Sequence, residues 1–280
     1  MITNLTVTTA VAIAEKRATK RGASVFSGRP HTMLERTWFA VKSSSWIIMV
    51  SGFFEPVFYL AAFGFGLGQF VPQVSDGHGN MVSYAAFIAP ALLATSAMNG
   101  AIYDSTWNVF FKMHFGKVYQ AMMATSLGPL DIAVGEISWA LIRGLAYAIG
   151  FTVVVWPMGL IPSAWGILAI PAAVLIAWGF ASLGMGVTSY MKNFQQMNWV
   201  NFVLLPMFLF SGTFFPLSVY PQAMQYVIMS MPLWQAVEMI RALTLGNLSW
   251  SLLGHAAYFL VLVVLGMIFT TKRLTELFMR

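Results

Sequence analysis

No feature of this chain restricts its fold more than a series of uninterrupted apolar runs, each about as long as a helix must be to cross a bilayer, roughly 20 residues. They occupy residues 46–70, 84–106, 133–156, 166–190, 199–215 and 252–271. None alternates apolar with polar residues, so a membrane β-barrel is excluded. A chain of 280 residues that is 59% hydrophobic and 9% charged cannot hide these runs in a water-soluble globule, since soluble domains carry about 25% charged residues. The expected fold is all-α and membrane-integral, with six transmembrane helices in one domain, 30–280, behind a cytoplasmic N-terminal arm, 1–29.

Sidedness follows from where the basic residues fall. Lys16, Arg17, Lys20, Arg21, Arg29, Arg36 and Lys42 precede the first run, Lys112 and Lys117 lie in the second loop, and Lys272, Arg273 and Arg280 follow the last run. The first and third loops contain no Lys or Arg. The positive-inside rule therefore places both termini and the Lys112/Lys117 loop in the cytoplasm. This asymmetry accounts for the net charge of +6 without nucleic acid. The chain has no cysteine, which excludes thiolate metal sites, disulfides and cysteine nucleophiles.

Residues 1–14 are mildly apolar with their basic residues behind them, the reverse of a secretory signal, and predict an uncleaved arm that is loose or lies along the surface. From Pro30, Leu34, Trp38 and Val41 share one helical face, with Glu35, Arg36 and Lys42 largely off it. This spacing predicts an amphipathic interfacial helix that anchors the chain or lines a cleft for a partner. In the second loop, Tyr119, Met122, Met123 and Ser126 recur at helical steps before Gly128-Pro129 stops the helix. Its soft apolar side suits either a foot on which a partner protein pushes or a segment covering the bundle floor.

Charges within apolar runs are costly and mark function or register. Counting about 1.5 Å per residue from the cytoplasmic ends puts Glu55 about 13 Å up the first run and Arg143 about 15 Å up the third, heights that predict an intramembrane pair or a proton or substrate role. Asp104 and Glu136 are expected in headgroup water near basic partners such as Lys112. Glycines at 64, 66 and 68 predict close approach to a neighbouring helix, as do Gly179, Gly184 and Gly186. Asp76 to Asn80 predicts a short external turn, while Pro206 predicts a kink in the fifth run. Glu238 and Arg241, three apart on a short helix, are placed to pair. His31, His78, His114 and His255 form no zinc spacing and no visible triad, which argues against an intramembrane enzyme.

The segment Ser211-Gly212-Thr213-Phe214-Phe215-Pro216, followed by Pro221, Pro232 and Glu238 to Arg241, resembles the signature of ABC-2 type exporter permeases. The stretch from Ala89 through Asn99, Tyr103 and Asp104 to Lys112 is more similar still to the nodulation-factor and lipooligosaccharide exporter subgroup. The resemblance covers about residues 30–271. It implies a homodimer of permeases with two copies of a cytoplasmic ABC ATPase subunit. Lys117, Tyr119, Met122, Met123 and Thr125 would form the ATPase-coupling helix, and Leu34, Arg36 and Trp38 would belong to the interfacial helix. Re-entrant helices with Gly212, Phe215, Pro216, Glu238 and Arg241 would cap the exit, while Asn99, Asn201 and Phe208 would border the substrate path.

No G-x-x-x-x-G-K-[ST] pattern occurs, so ATP and magnesium would be bound by the partner ATPase and no cofactor or metal by this chain. The function implied is ATP-driven export of an amphiphile such as a glycolipid or lipooligosaccharide among membrane lipids. A drug or antibiotic exporter of the same plan, or a proton-coupled carrier using Glu55, Asp104 or Glu136, are the alternatives.

Overall fold

A computed structural model describes residues 25–44, 52, 54–71, 73–77, 79–125 and 127–278. The expectations for residues 1–24 of the arm, for the start of the first run at 46–51 and 53, and for His78, Ser126 and Arg280 lie outside the described residues. The chain forms α1 (Pro30–Ser44), then α2 (Phe54–Tyr59), which widens into a π-helical stretch, Leu60–Gly66, and tightens into a short 3-10 turn, Leu67–Gln69. A hairpin follows, β1 (Gln73–Ser75) antiparallel to β2 (Met81–Ser83), turning through Gly77 and Gly79 at φ +81° and +95°. This hairpin is a departure from an all-α fold, and the two left-handed glycines let the external turn pair its flanks.

Next come α3 (Tyr84–Tyr103), a π-helical segment (Asp104–Asn108), α4 (Val109–His114), α5 (Val118–Met123) and α6 (Pro129–Val155). They are followed by α7 (Ala169–Thr188), α8 (Asn198–Phe210), α9 (Gln222–Ser230), α10 (Pro232–Leu245) and α11 (Ser251–Phe278). Ser83 starts α3 by accepting the Ala86 N–H on its hydroxyl, and Pro129 sits at the start of α6, where a missing N–H costs nothing. Among the described residues, four helical runs are long and apolar enough to cross a membrane: Tyr84–His114, Pro129–Val155, Ala164–Thr188 and Ser251–Phe278. The first predicted run is described only from α2 onwards, and the fifth is represented by the 13-residue α8.

The α3 run is the axis of the bundle, with 89% of its most apolar window buried, against 17% for α11, which turns its side chains outwards. Around α3 pack α6, α7 and α10, and α11 lies along α7. Small residues set these distances. A Cβ on Gly100 would lie 3.2 Å from the Gly144 Cα, and one on Gly266 would lie 2.8 Å from the Ser182 carbonyl carbon. Gly179, Gly184 and Gly186 also sit against neighbours, at Phe259, Ser105 and Phe269. Of the first-run glycines, Gly64 packs on Ala85, whereas Gly66 has open space where a Cβ would be.

Candidate functional site

The candidate residues fall at three levels along the bundle. At the floor, Asp131 in the first turn of α6 accepts the backbone N–H groups of Ser27 (2.6 Å), Arg29 (2.8 Å) and Gly128 (3.0 Å). Leu130 donates to the Val25 carbonyl at 3.0 Å, so the chain entering α1 is stitched to the start of α6. Met33 then lies buried against Gly135, and α1 packs along α6.

The packed side of α1 is Met33 and Thr37, not the face drawn through Leu34, Trp38 and Val41. Leu34 and Val41 are half-buried, Arg36 is exposed and Trp38 points outwards at 53% exposure. The helix thus offers an aromatic outer side, Trp38 and Phe39, to its surroundings.

Of the two roles open to the soft face of α5, the structure shows the covering of the floor. Tyr119 is 0% exposed and Met122 is buried, so the soft face is turned into the protein's own floor. The Tyr119 ring meets Phe278 edge-on at the end of α11. Burial first and the neighbouring Glu136 carboxylate second push the Tyr119 phenol well above its ordinary value, so it stays a neutral hydroxyl. The side of α5 left to a partner is Lys117, Gln120, Ala121, Ala124 and Thr125, with Met123 at its border. Lys117 itself is left-handed, at φ +45°.

Above the floor runs a ladder of buried charge between the α3 run and α6. Lys112 pairs with Glu136 at 2.6 Å, and Arg143 Nε lies 2.8 Å from Asp104 Oδ2, with Asn108 donating to the same carboxylate. The Arg143–Asp104 contact is charge on charge, since the Nε–H does not point along the line to the oxygen. The Lys112–Glu136 rung supplies the basic partner expected from the sequence, while the depth of both carboxylates and the partner of Arg143 differ from that expectation. Asp104 and Glu136 are buried rather than bathed in headgroup water, because the α3 run continues to His114 and leaves Asp104 ten residues, about 15 Å, from its end. Arg143 pairs with Asp104 and not with Glu55, because it faces α3, and one turn further on the Tyr147 ring fills the gap against Gly52 ahead of α2.

At the middle level, Glu55 and Tyr59 of α2, Thr95 and Asn99 of α3, and Asn201 and Phe208 of α8 line one cavity of about 350 Å³. The sequence had named Glu55 for its charge and Asn99, Asn201 and Phe208 for the path, and the fold brings all four to one wall. Its size lies in the range of small-molecule sites. Above it, Tyr59, Phe63, Phe208 and Phe214 close ring on ring, with centroids 5.0–6.1 Å apart.

The third level begins at Gly212, φ +73°, where the chain leaves α8. Arg241 of α10 donates to the Gly212 carbonyl at 2.8 Å, pairs with Glu238 and stacks 4.1 Å over the Phe87 ring of α3. Tyr84 donates to the Phe214 carbonyl at 3.2 Å, which fixes the same bend from the other side. A second cavity of about 430 Å³ opens here, walled by Asp76, Phe87, Pro216, Trp234, Glu238 and Arg241. Phe215 of the same motif stands apart, 52% exposed. Phe63, Tyr84, Phe87 and Trp234 escaped sequence reasoning, since in an apolar chain an aromatic residue carries no signal of what it stacks against.

Comparison with known proteins gives a consistent answer. The model of the ABC-2 type transporter family matches residues 31–245. Nodulation protein J of Rhizobium leguminosarum bv. viciae is 30% identical over 246 residues, covering 88% of this chain and 93% of that protein. Nodulation protein J of Sinorhizobium fredii is 31% identical over 226 residues, 79% of this chain and 84% of the relative, and that of Rhizobium meliloti is 30% identical over 213 residues, 76% and 79%.

Proposed function

This chain belongs to the ABC-2 type transporter family, and we propose that it is the permease subunit of an ATP-driven exporter that carries an amphiphile across the bacterial inner membrane. As a permease of that family it is a transport subunit without an ATPase domain of its own, working with a separate ABC ATPase. The observation that carries the substrate reading is the middle cavity, where two amides, a carboxylate and two hydroxyls face an otherwise apolar, aromatic wall. Such a wall suits a polar head on a lipid tail. Similarity to the nodulation proteins J supports the permease assignment.

Power would enter at the floor. Two ATPase subunits bind against the exposed side of α5 and the outer side of α1, and nucleotide-driven closure shifts α5. Because Tyr119 is buried under α11 and beside Glu136, and Lys112 of the α3 run holds Glu136 of α6, displacement of α5 passes to both membrane helices as one body. Six spans, with α2 in the first and α8 as the fifth, and α9 and α10 as the outer re-entrant pair, complete the reading. The exposed apolar face of α8, with Trp199, Phe202 and Leu205, supports a second permease copy there.

Glu55 favours one other reading, a proton-coupled carrier, because an intramembrane carboxylate can relay protons. One experiment decides between them. Purified with its ATPase and sealed in vesicles, the complex is expected to transport only with ATP, and Glu55→Gln is expected to leave that dependence in place. Uphill flux by the isolated chain on a proton gradient, abolished by Glu55→Gln, would overturn the exporter reading.

A further inference from the structure

The middle cavity has a sign as well as a size. Four carboxylates of the helical bundle each lie within 4 Å of a cation: Asp104 of Arg143, Glu136 of Lys112, Glu238 of Arg241 and Glu276 of Arg273. Asp131 and Asp76 are saturated by backbone or amide donors. Glu55 is different. Its side chain is exposed on the cavity wall, and no ion pair or hydrogen bond reaches it among the described residues. Asn99 and Asn201, on the facing helices, likewise hold no hydrogen bond there, whereas the Thr95 hydroxyl already donates to the Ala91 carbonyl at 2.8 Å.

A free carboxylate among free amides, with no described cation in the wall, is a charge filter. An incoming hydroxyl, amide N–H or ammonium group supplies the donors that the Glu55 carboxylate lacks. A phosphate or sulfate supplies only acceptors and a second negative charge at short range, in surroundings where repulsion is weakly screened. We infer that Glu55, with Asn99 and Asn201, selects cargo whose head is uncharged and rich in donors or carries an amine, and rejects anionic heads. This rests on the exporter reading and adds the class of head that the exporter accepts. It also explains why Glu55 has no partner among the described residues: the cargo completes it.

The test uses the full permease with its ATPase, reconstituted in vesicles, and three synthetic glycolipids with one tail and a glucosyl, glucosaminyl or phosphoglucosyl head. ATP hydrolysis is followed against lipid concentration. The glucosyl and glucosaminyl lipids are expected to stimulate at concentrations at least tenfold below the phosphoglucosyl lipid. Glu55→Gln, which keeps shape and removes charge, is expected to shrink that ratio severalfold, and Glu55→Lys to invert it. Equal response of the unmodified complex to all three lipids, or a ratio unmoved by either substitution while the complex still assembles, overturns the filter and leaves the exporter standing. If the ATPase does not bind the chain at all, the exporter reading falls and the filter with it. That outcome is read by co-purification, before any lipid is added.

Discussion

Two buried arginines organise this protein, and each invites a quantitative expectation. Arg143 and Asp104 are 4% and 3% exposed, so removing one leaves the other as an uncompensated charge in low dielectric. Asp104→Ala is expected to destabilise by about 3 kcal/mol, measured as lost thermal stability of the purified protein in detergent. The double change Asp104→Leu with Arg143→Met is expected to recover most of that loss, because an apolar pair of similar volume needs no desolvation. Arg241 differs in serving three partners with one planar fork. Arg241→Lys keeps the charge but cannot pair with Glu238, hold the Gly212 carbonyl and lie flat on Phe87 together, and a loss of about 2 kcal/mol with impaired transport is expected. The Glu238–Arg241 pair could be read from the sequence because both partners sit three apart on one helix. The partner of Arg143 could not, since height along a helix follows from counting residues while rotation about its axis follows from packing.

Helices and their junctions carry a second set of expectations. At Gly266 a Cβ would meet backbone atoms of Ser182 and Leu183 at 2.8 and 2.9 Å, and backbone cannot rotate away. Gly266→Val is therefore expected to push α11 off α7 at a cost of about 1–3 kcal/mol. The chain has no cysteine, so a cysteine pair placed across the two helices would report the separation by lost cross-linking, with no background to remove. The ring cluster over the middle cavity is a junction of another kind. Phe208→Ala removes the ring that touches both Tyr59 and Phe214, and at about 1 kcal/mol for each of the two contacts a conformation with the cluster parted should gain about thirtyfold in population. Raised leak of small solutes through vesicles, without ATP, is the measurement. The apolar runs announced most of these helices. Their π-helical stretches at Leu60–Gly66 and Asp104–Asn108 were not announced, because widening a turn costs little and is chosen by the neighbours.

For the protein as an assembled machine, the floor decides how it meets its motor. Tyr119→Ala with Met122→Ala should loosen the floor itself, lowering stability before it touches coupling, since both side chains are buried. Ala121→Glu with Ala124→Glu should instead leave the fold intact and reduce ATPase binding and stimulated hydrolysis severalfold, as measured by co-purification and turnover. The sequence found the amphipathic helix but not which surface covers its soft side, because a bundle's own underside and a partner's groove are equally apolar. A separate consequence follows from the length of α8. With α8 as the proposed fifth span, entering the layer at Asn198, thirteen residues reach about 20 Å, whereas the hydrocarbon layer is about 30 Å deep, so the bend at Gly212 and the polar recess around Arg241 would lie below the surface of that layer. Water entering this vestibule would thin the dry barrier to about two thirds of its depth, and a sugar or amine would shed its hydration over that shorter distance only.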